Sequence, residues 1–265
     1  MLYIVATPIG NLKEITHYAV EILNNVEYIL CEDTRTSKVL LNHYDIKKPL
    51  FSYHKFNEKS ESEQIIRDLK NGKDIALISD AGMPGISDPG NILINECINN
   101  NILYTVISGP SAFVNAFVMS GFQPPFTFIG FLPNKKSDAK KLLIEYKDYK
   151  SVLIFYVAPH DVDDTIKLLN SQLGDRKACV VREISKKFEE KTFITLASGY
   201  NGVLKGEFVV VVEGCSEKKE SDLTVIEEVN LLIASGLDKN TAIKQVAHNR
   251  GLKKNEVYQE FINNN

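Results

Sequence analysis

The segment best suited to hold a ligand is residues 79–90, which directly follow the apolar run at 75–78. This loop contains three glycines, two prolines and two aspartates. Glycine allows positive φ and close approach of the backbone to a ligand, and proline fixes φ near −65°. The pattern predicts a rigid loop whose backbone amides are available to a ligand. We also expect Asp88 to cap the following helix and Pro89 to begin it.

Two further loops of this kind follow apolar runs. Residues 7–11 follow the run at 2–6, and residues 108–112 follow the run at 103–107. Each loop taken alone fits an ordinary turn between a strand and a helix. Because the carboxyl ends of parallel strands meet at one edge of a sheet, the three loops together predict a ligand crevice at that edge.

The first half of the chain alternates between strand and helix patterns. Strands are expected at 2–6, 28–31, 50–53, 75–78 and 103–107, with helices between them. Ser60 and Glu63 form a capping-box pattern that predicts a helix running from there to about Lys70 and ending at Asn71-Gly72. This alternation predicts an α/β fold with a mostly parallel sheet and helices on both faces.

The pattern breaks at residues 120–125, which include a glycine and two prolines. Strands follow at 126–131, 152–156, 178–181 and 208–212, with a further one at 192–194, and they predict a mixed sheet. We therefore expect one α/β domain over 1–121 and a second over 126–216.

From residue 223 to 265 the chain reads as helices only. Thr224 and Glu227 form a capping box, and Gly236 and Gly251 are expected to end two helices before a third that carries Val257. The spacing fits a helix-turn-helix, and it fits equally a helical hairpin with a purely structural role. Within residues 238–256, lysine and arginine outnumber aspartate and glutamate, which favours RNA contact.

Composition narrows the class of protein. The chain has 265 residues, 44% hydrophobic and 25% charged, as expected of a globular protein with a sizeable core. A net charge of −3 argues against a uniformly basic nucleic-acid binder, so RNA contacts would come from local patches. No signal peptide or membrane span is visible, which predicts a cytoplasmic protein without membrane contact. The widely spaced cysteines indicate neither a zinc site nor a disulfide framework, and we expect them to be reduced: Cys31, Cys97, Cys179 and Cys215.

Several segments, in order along almost the whole chain, resemble the ribosomal RNA small subunit methyltransferase I family. They include ATPIGNL at 6–12, CEDTRTSKVL at 31–40, the loop at 79–90 and GFLP at 130–133. That family belongs to the tetrapyrrole-methylase type of S-adenosylmethionine enzymes (class III). The resemblance implies two α/β domains with the ligand cleft between them and a small helical tail.

The resemblance also implies an activity. It implies transfer of the methyl group of S-adenosylmethionine to the ribose 2′-oxygen of a cytidine in the decoding region of 16S ribosomal RNA, by a homodimer that acts on the small ribosomal subunit. No metal is implied. The positions that match the family's donor site are Pro8, Ile9, Asp80, Gly82, Met83, Ile86, Ser111, Ala112, Tyr156 and Val157.

Polar residues just beyond strand ends are the candidates for catalysis and RNA contact. Such groups are costly to bury unless they are paired, so a crowd of them typically lines a cleft. Asp33 and Arg35 fit equally a salt bridge or helix cap, and His54 fits an ordinary surface histidine. The candidates are Glu32, Asp33, Arg35, His54, Asn57, Glu58, Arg182 and Glu183.

The chain departs from the family pattern at three positions. Met83 stands where the family usually has threonine, Val157 where it has glutamate, and Asp161 where it has arginine. These departures leave open an RNA-binding relative that has lost methyl transfer. A second alternative, a tetrapyrrole-type methylase of small molecules, stays open because it shares the fold.

Overall fold

The computed structural model describes residues 1–216, 223–250 and 252–263. The chain divides into two compact units, residues 1–215 and residues 216–265. The first contains two five-stranded sheets, and the second contains three helices. Within the described residues, no helix is both long and apolar enough to span a bilayer.

The first sheet is entirely parallel, as the alternation of strands and helices predicts. Its strand order is β3-β2-β4-β1-β5. Every side chain of β2 and β4 is buried, because helices cover both faces of these central strands. The strands are β1 (Leu2–Val5), β2 (Tyr28–Cys31), β3 (Leu50–Ser52), β4 (Ile75–Ile78) and β5 (Tyr104–Ile107).

Five helices accompany or follow these strands: α1 (His17–Asn25), α2 (Thr34–His43), α3 (Glu58–Lys70), α4 (Asn91–Asn99) and α5 (Ala112–Ser120). Thr16 and Asp33 accept hydrogen bonds from the first turns of α1 and α2. The helix starts that we predicted for α3 and α4 are wrong. In α3 the Ser60 hydroxyl donates to the Asn57 carbonyl, two residues inside the helix.

The start of α4 shows why a local pattern was misleading. The cap residue is Gly90, with φ of 146°, rather than Asp88. A Cβ at Gly90 would lie 3.1 Å from the Leu77 side chain and 3.3 Å from the Gly85 nitrogen. Close packing of the loop on β4 therefore moves the helix start two residues beyond the Asp88-Pro89 pattern and leaves Asp88 for another role.

The second sheet is mixed, as expected. Its strand order is β6-β7-β10-β8-β9, and only β6 and β7 pair in parallel. The strands are β6 (Phe126–Phe131), β7 (Val152–Val157), β8 (Lys177–Arg182), β9 (Glu190–Thr195) and β10 (Phe208–Val212). Two helices that were not predicted, α6 (Lys136–Glu145) and α7 (Val162–Leu173), contribute Leu143 and Ile166 to the core on one face.

Helix α5 follows β5 of the first sheet but packs on the second. Ala116 is fully buried there, and the Phe113 ring stacks on Phe128 with ring centroids 4.3 Å apart. One helix thus links the two sheets within a single compact unit. The domain boundaries expected at 121 and 126 stay a prediction.

The helical unit contains α8 (Val225–Ala234), α9 (Lys239–Arg250) and α10 (Lys254–Asn263). The expected capping box between Thr224 and Glu227 is present. Val229, Ile243 and Val257 form its core and are fully buried. Gly251, which we expected to end the second of these helices, lies outside the described residues.

Candidate active site

A cavity of about 360 Å³ lies where the carboxyl ends of the first sheet's strands face the second sheet. We call it the cleft cavity. Residues 81–83 and 86–88 form one wall, and residues 111–113 form another. The second sheet contributes Phe131, residues 156–159, Ile184 and residues 207–209. Two of the loops expected to hold a ligand therefore meet here, and Ile9 of the third joins them.

The loops after β1 and β4 are joined by backbone hydrogen bonds. Thr7 N–H donates to the Gly82 carbonyl at 2.8 Å, and Gly82 N–H donates to the Thr7 carbonyl at 3.1 Å. The buried Thr7 hydroxyl also donates to the Ser79 carbonyl at 3.1 Å. These bonds make the loop rigid, as expected. They also correct the expectation of available amides at Gly82, because its N–H is already engaged.

Tyr156 forms an aromatic wall of the cleft cavity. Its ring lies edge-on to Phe128 and Phe131, with centroid distances of 5.0 and 5.5 Å. Burial, followed by the negative charges of Asp88 and Glu207, raises the pKa of Tyr156 to about 12. The phenol is therefore neutral at physiological pH and can act as a hydrogen-bond donor.

Two carboxylates that sequence reasoning missed line the cleft cavity. Asp88 comes from the loop after β4, and Glu207 comes from the residue before β10. Burial, with the charges of Glu32 and Asp80, raises the pKa of Asp88 to about 6. The spacing of Asp88 and Pro89 suggested a helix cap and so concealed a carboxylate that lines the cavity. Among the described residues, no group of three or more acidic, histidine or cysteine side chains is arranged to hold a metal ion.

The structure brings together most residues matched to the family's donor site. Pro8 and Asp80 lie outside the lining. The Asp80 carboxylate accepts the Asp33 N–H at 3.3 Å, and burial raises its pKa. The other eight line the cleft cavity: Ile9, Gly82, Met83, Ile86, Ser111, Ala112, Tyr156 and Val157.

The eight candidates for catalysis all lie outside the cavity lining. The negative charge of Glu32 acts on the lining residue Asp88 and helps to raise the pKa of that carboxyl. Burial, with the charge of Asp80, raises the pKa of Glu32. Asp33 and Arg35 instead form the helix cap and salt bridge that were the alternative. The Asp33 carboxylate accepts both the Arg35 N–H and its guanidinium, which holds the pKa of Asp33 at about 2.

His54 and Asn57 form a turn after β3. The Asn57 side chain accepts the His54 N–H at 2.8 Å and donates to the Ser52 carbonyl at 2.9 Å. The His54 Nδ1 accepts the Phe56 N–H at 3.3 Å. Glu58 is the first residue of α3. These bonds give Asn57 a structural role in holding the chain at the end of the edge strand.

Arg182 and Glu183 build the second-sheet side of the cleft. Arg182 pairs with Glu190 at 2.9 Å. The Glu183 carboxylate accepts the Lys186 ammonium at 2.9 Å and the Glu207 N–H at 3.0 Å. Lys186 also pairs with the Glu207 carboxylate at 3.2 Å. Glu183 is therefore placed to position Glu207.

The three departures from the family pattern differ in their relation to the cavity. Met83 lines it and packs against the hydrophobic core cluster that contains Leu77 and Leu93. Val157 borders it, but its side chain is 5% exposed and packs in the core that contains Phe155 and Phe208. Asp161 lies beside His160, with 3.3 Å between carboxylate and imidazole, and both side chains are exposed. The charge change at Asp161 thus falls outside the cavity wall.

Residues 1–199 match the family of tetrapyrrole (corrin/porphyrin) methylases. Among solved structures, the methyltransferase CobJ superposes with a TM-score of 0.62 at 14% identity and covers 81% of this chain and 94% of its own. The uroporphyrin-III C-methyltransferase of Thermus thermophilus, complexed with S-adenyl homocysteine, superposes with a TM-score of 0.56 at 15% identity over 79% and 96% of the two chains. At these identities the likeness establishes the fold.

Sequence relatives are much more similar. The ribosomal RNA small subunit methyltransferase I of Halalkalibacterium halodurans is 42% identical over 98% of this chain and 94% of its own. The protein of the same name from Mycoplasmopsis pulmonis is 48% identical over 79% of this chain and 96% of its own. The chain therefore belongs to the ribosomal RNA small subunit methyltransferase I family, within the tetrapyrrole methylases.

Proposed function

We propose that this protein transfers the methyl group of S-adenosylmethionine to the ribose 2′-oxygen of a cytidine in the decoding region of 16S ribosomal RNA. The observation that carries the proposal is the cleft cavity, in which eight of the residues matched to the family's donor site converge. Relatives that share nearly the whole chain and are named as ribosomal RNA methyltransferases support the acceptor class.

The residues of the cleft cavity suit the donor. Ile9, Met83 and Phe113 offer apolar contact to an adenine ring, and Asp88 and Glu207 offer carboxylates to hydroxyl and ammonium groups. The donor supplies a methyl group already activated on a sulfonium. Two rigid loops and the Tyr156 wall would therefore act chiefly by orientation, which can contribute about 7 to 11 kcal/mol.

The acceptor oxygen must lose a proton to the surroundings when the new O–C bond forms. Of the candidates named from the sequence, Glu32 is the best placed to receive it. Its charge acts on Asp88 in the cavity wall, and its pKa is raised toward the range in which a carboxylate is an effective base. Asp33 and Arg35 are weaker candidates for a catalytic role, because their side chains already form a salt bridge with each other.

The acceptor defines the partner and the place of action. We propose that the enzyme works on small ribosomal subunits in the cytoplasm. We also propose a homodimer that buries the edge strand β5. Tyr104 and Val106 lie on the same face of β5 and are 38% and 50% exposed, and the preceding Leu103 is 75% exposed.

The test is methyl transfer from labelled S-adenosylmethionine to small ribosomal subunits that lack this modification, with the product nucleoside identified by mass spectrometry. We expect 2′-O-methylcytidine from one site. Methylation of a base would overturn the 2′-oxygen assignment. Absence of transfer by folded protein would favour the non-catalytic relative, and transfer to a tetrapyrrole instead of RNA would favour the small-molecule methylase.

Two variants link this activity to the cleft cavity. Asp88→Asn removes a carboxylate from the wall, whereas Asp163→Asn removes one from the exposed first turn of α7. We expect the first variant to lose most methyl transfer and the second to retain it. Equal activity of the two variants would place the reaction elsewhere.

A further inference from the structure

A second cavity, outside the cleft, lies between helix α2 and the edge strand β3. It is an open groove of about 560 Å³. Its apolar floor contains Leu41 and Ile46, which are buried, and Leu50. Its rim is polar and basic, and we call it the lysine groove. The rim residues are Thr34, Lys38, Asn42, Lys47 and Lys48.

The groove follows from the spacing of residues on α2 and from the path of the chain after it. Thr34, Lys38, Leu41 and Asn42 are separated by four, three and one positions, so they share one side of the helix. After α2 the chain turns back through Asp45, with φ of 53°, to reach β3. This return places Lys47 and Lys48 on the same groove as Lys38.

The groove carries positive charge that nearby carboxylates do not neutralise. Lys47 pairs with Asp45 at 2.9 Å. In the described part of the chain, Lys38 and Lys48 form no ion pair with a carboxylate, and Lys38 is exposed on the helix surface. Two free ammonium groups beside the Thr34 hydroxyl and the Asn42 amide form a surface suited to a phosphate-bearing ligand.

The position of the groove favours a chain of phosphates over a single one. Helix α2 begins two residues after Glu32, at the sheet edge that faces the cleft cavity. Its ten residues extend about 15 Å from that edge. The lysine groove therefore leads away from the cleft along the side of the first sheet, as a path for a nucleic-acid backbone would.

We propose that the lysine groove binds the phosphodiester backbone of ribosomal RNA next to the nucleotide that enters the cleft cavity. This proposal rests on the proposed function, because it takes RNA as the substrate. The site would contribute affinity and position without reading base sequence, since contacts to phosphate carry no sequence information.

The first test reverses the two free charges with Lys38→Glu/Lys48→Glu. The matched control is Lys140→Glu/Lys141→Glu, which makes the same charge change on exposed positions of α6. We expect the groove variant to raise the KM for unmethylated small subunits about tenfold with kcat and donor affinity unchanged. The salt dependence of binding to a single-stranded RNA oligonucleotide should fall by about 1.4 in log–log slope, at about 0.7 per phosphate contact. Equal effects of the two variants would overturn the proposal.

The second test does not require methyl transfer, so it separates failure of the groove from failure of the proposed function. Acetylation of lysines by a small reagent is followed by mass spectrometry with the protein alone, with the RNA oligonucleotide and with inorganic phosphate. We expect RNA to protect Lys38 and Lys48 and to leave Lys140 reactive. Protection by inorganic phosphate but not by RNA would identify a site for a small phosphate ligand and overturn the proposal, as would no protection by either.

Discussion

At the scale of single residues, the cleft cavity contains a carboxylate, Asp88, whose ionisation is opposed by burial. Asp88 lies in the cavity wall, close to the charges of Glu32, Asp80 and Glu207. A carboxylate placed in this way lowers the stability of the fold and is available to a ligand that carries positive charge or hydroxyl groups. A single substitution of Asp88 should therefore raise the stability of the fold and weaken the binding of the ligand.

We expect Asp88→Asn to stabilise the fold at neutral pH while weakening binding of S-adenosylmethionine at least tenfold. The folded pKa of Asp88, about 6, exceeds the ordinary value of 3.8, so the native state holds the proton more tightly than the unfolded state does. Stability of the parent protein should therefore fall as pH rises from about 4 to about 6. With partial exposure of the carboxylate taken into account, the gain for Asn at pH 7.5 should be about 1 kcal/mol.

Urea unfolding of both proteins at pH 7.5 and pH 4, together with calorimetric titration of the donor, measures both effects. The stability difference should shrink at pH 4, where Asp88 is protonated in the folded state and partly protonated in the unfolded state. A variant that is less stable than the parent protein at pH 7.5 would show that Asp88 has a structural role.

At the scale of elements, the junction between β8 and β10 positions the second-sheet side of the cleft. The Glu183 carboxylate sits over Gly206, and it accepts the N–H of Glu207, which lines the cavity. Gly206 has φ of 94°, and a Cβ there would overlap the Glu183 side chain. Gly206 and the Glu183 carboxylate together therefore fix the backbone at the start of β10.

We expect Gly206→Ala to lower the free energy of unfolding by about 2 kcal/mol, because it combines a strained φ with the loss of the bond between Glu183 and Glu207. The matched control is Gly199→Ala, which has φ of 71° and no atom within 4 Å of its added Cβ. In that variant the free energy of unfolding should fall only by the contribution of backbone strain, about 1 kcal/mol. Equal losses in urea unfolding would show that the Glu183 contact adds nothing.

At the scale of the whole molecule, we propose that the first compact unit binds the methyl donor and that the helical unit contacts RNA. Every residue that lines the cleft cavity lies within the first unit, between Ile9 and Val209. In the helical unit, Arg250 pairs with Glu228 at 2.7 Å, and Lys239 lies over the Phe261 ring at 4.8 Å. Those two cations therefore stabilise the helices. Three exposed lysines are better suited to contact RNA, and they are Lys244, Lys253 and Lys254.

A chain that ends at residue 216 should bind S-adenosylmethionine with unchanged affinity and bind RNA about tenfold more weakly. The log–log salt slope of RNA binding should fall by about 2, because three single-strand phosphate contacts are lost. Calorimetry with the donor and RNA titrations over a range of salt concentrations measure these effects. Unchanged RNA affinity would support the purely structural role of the helical hairpin.

Many elements were predictable because burial leaves a direct mark on sequence. Strands β2, β4 and β10 have the bounds expected from their apolar runs, since central strands covered on both faces require apolar residues throughout. The edge strand β6 also has the expected bounds. The mixed second sheet was also expected. Helices α6 and α7 were not placed, although each buries an apolar stripe that includes Leu143 or Ile166.

The sequence by itself determined the alternation of strands and helices, the loops that meet at one sheet edge and, through its motifs, the family. It did so because those features depend on local residue types and their spacing. Only the tertiary structure decided that Asp88 faces the cleft rather than capping α4, that Gly82 N–H is bonded to Thr7, and that α5 packs on the second sheet. Each of these depends on contacts between residues far apart in the chain, and no local pattern encodes such contacts.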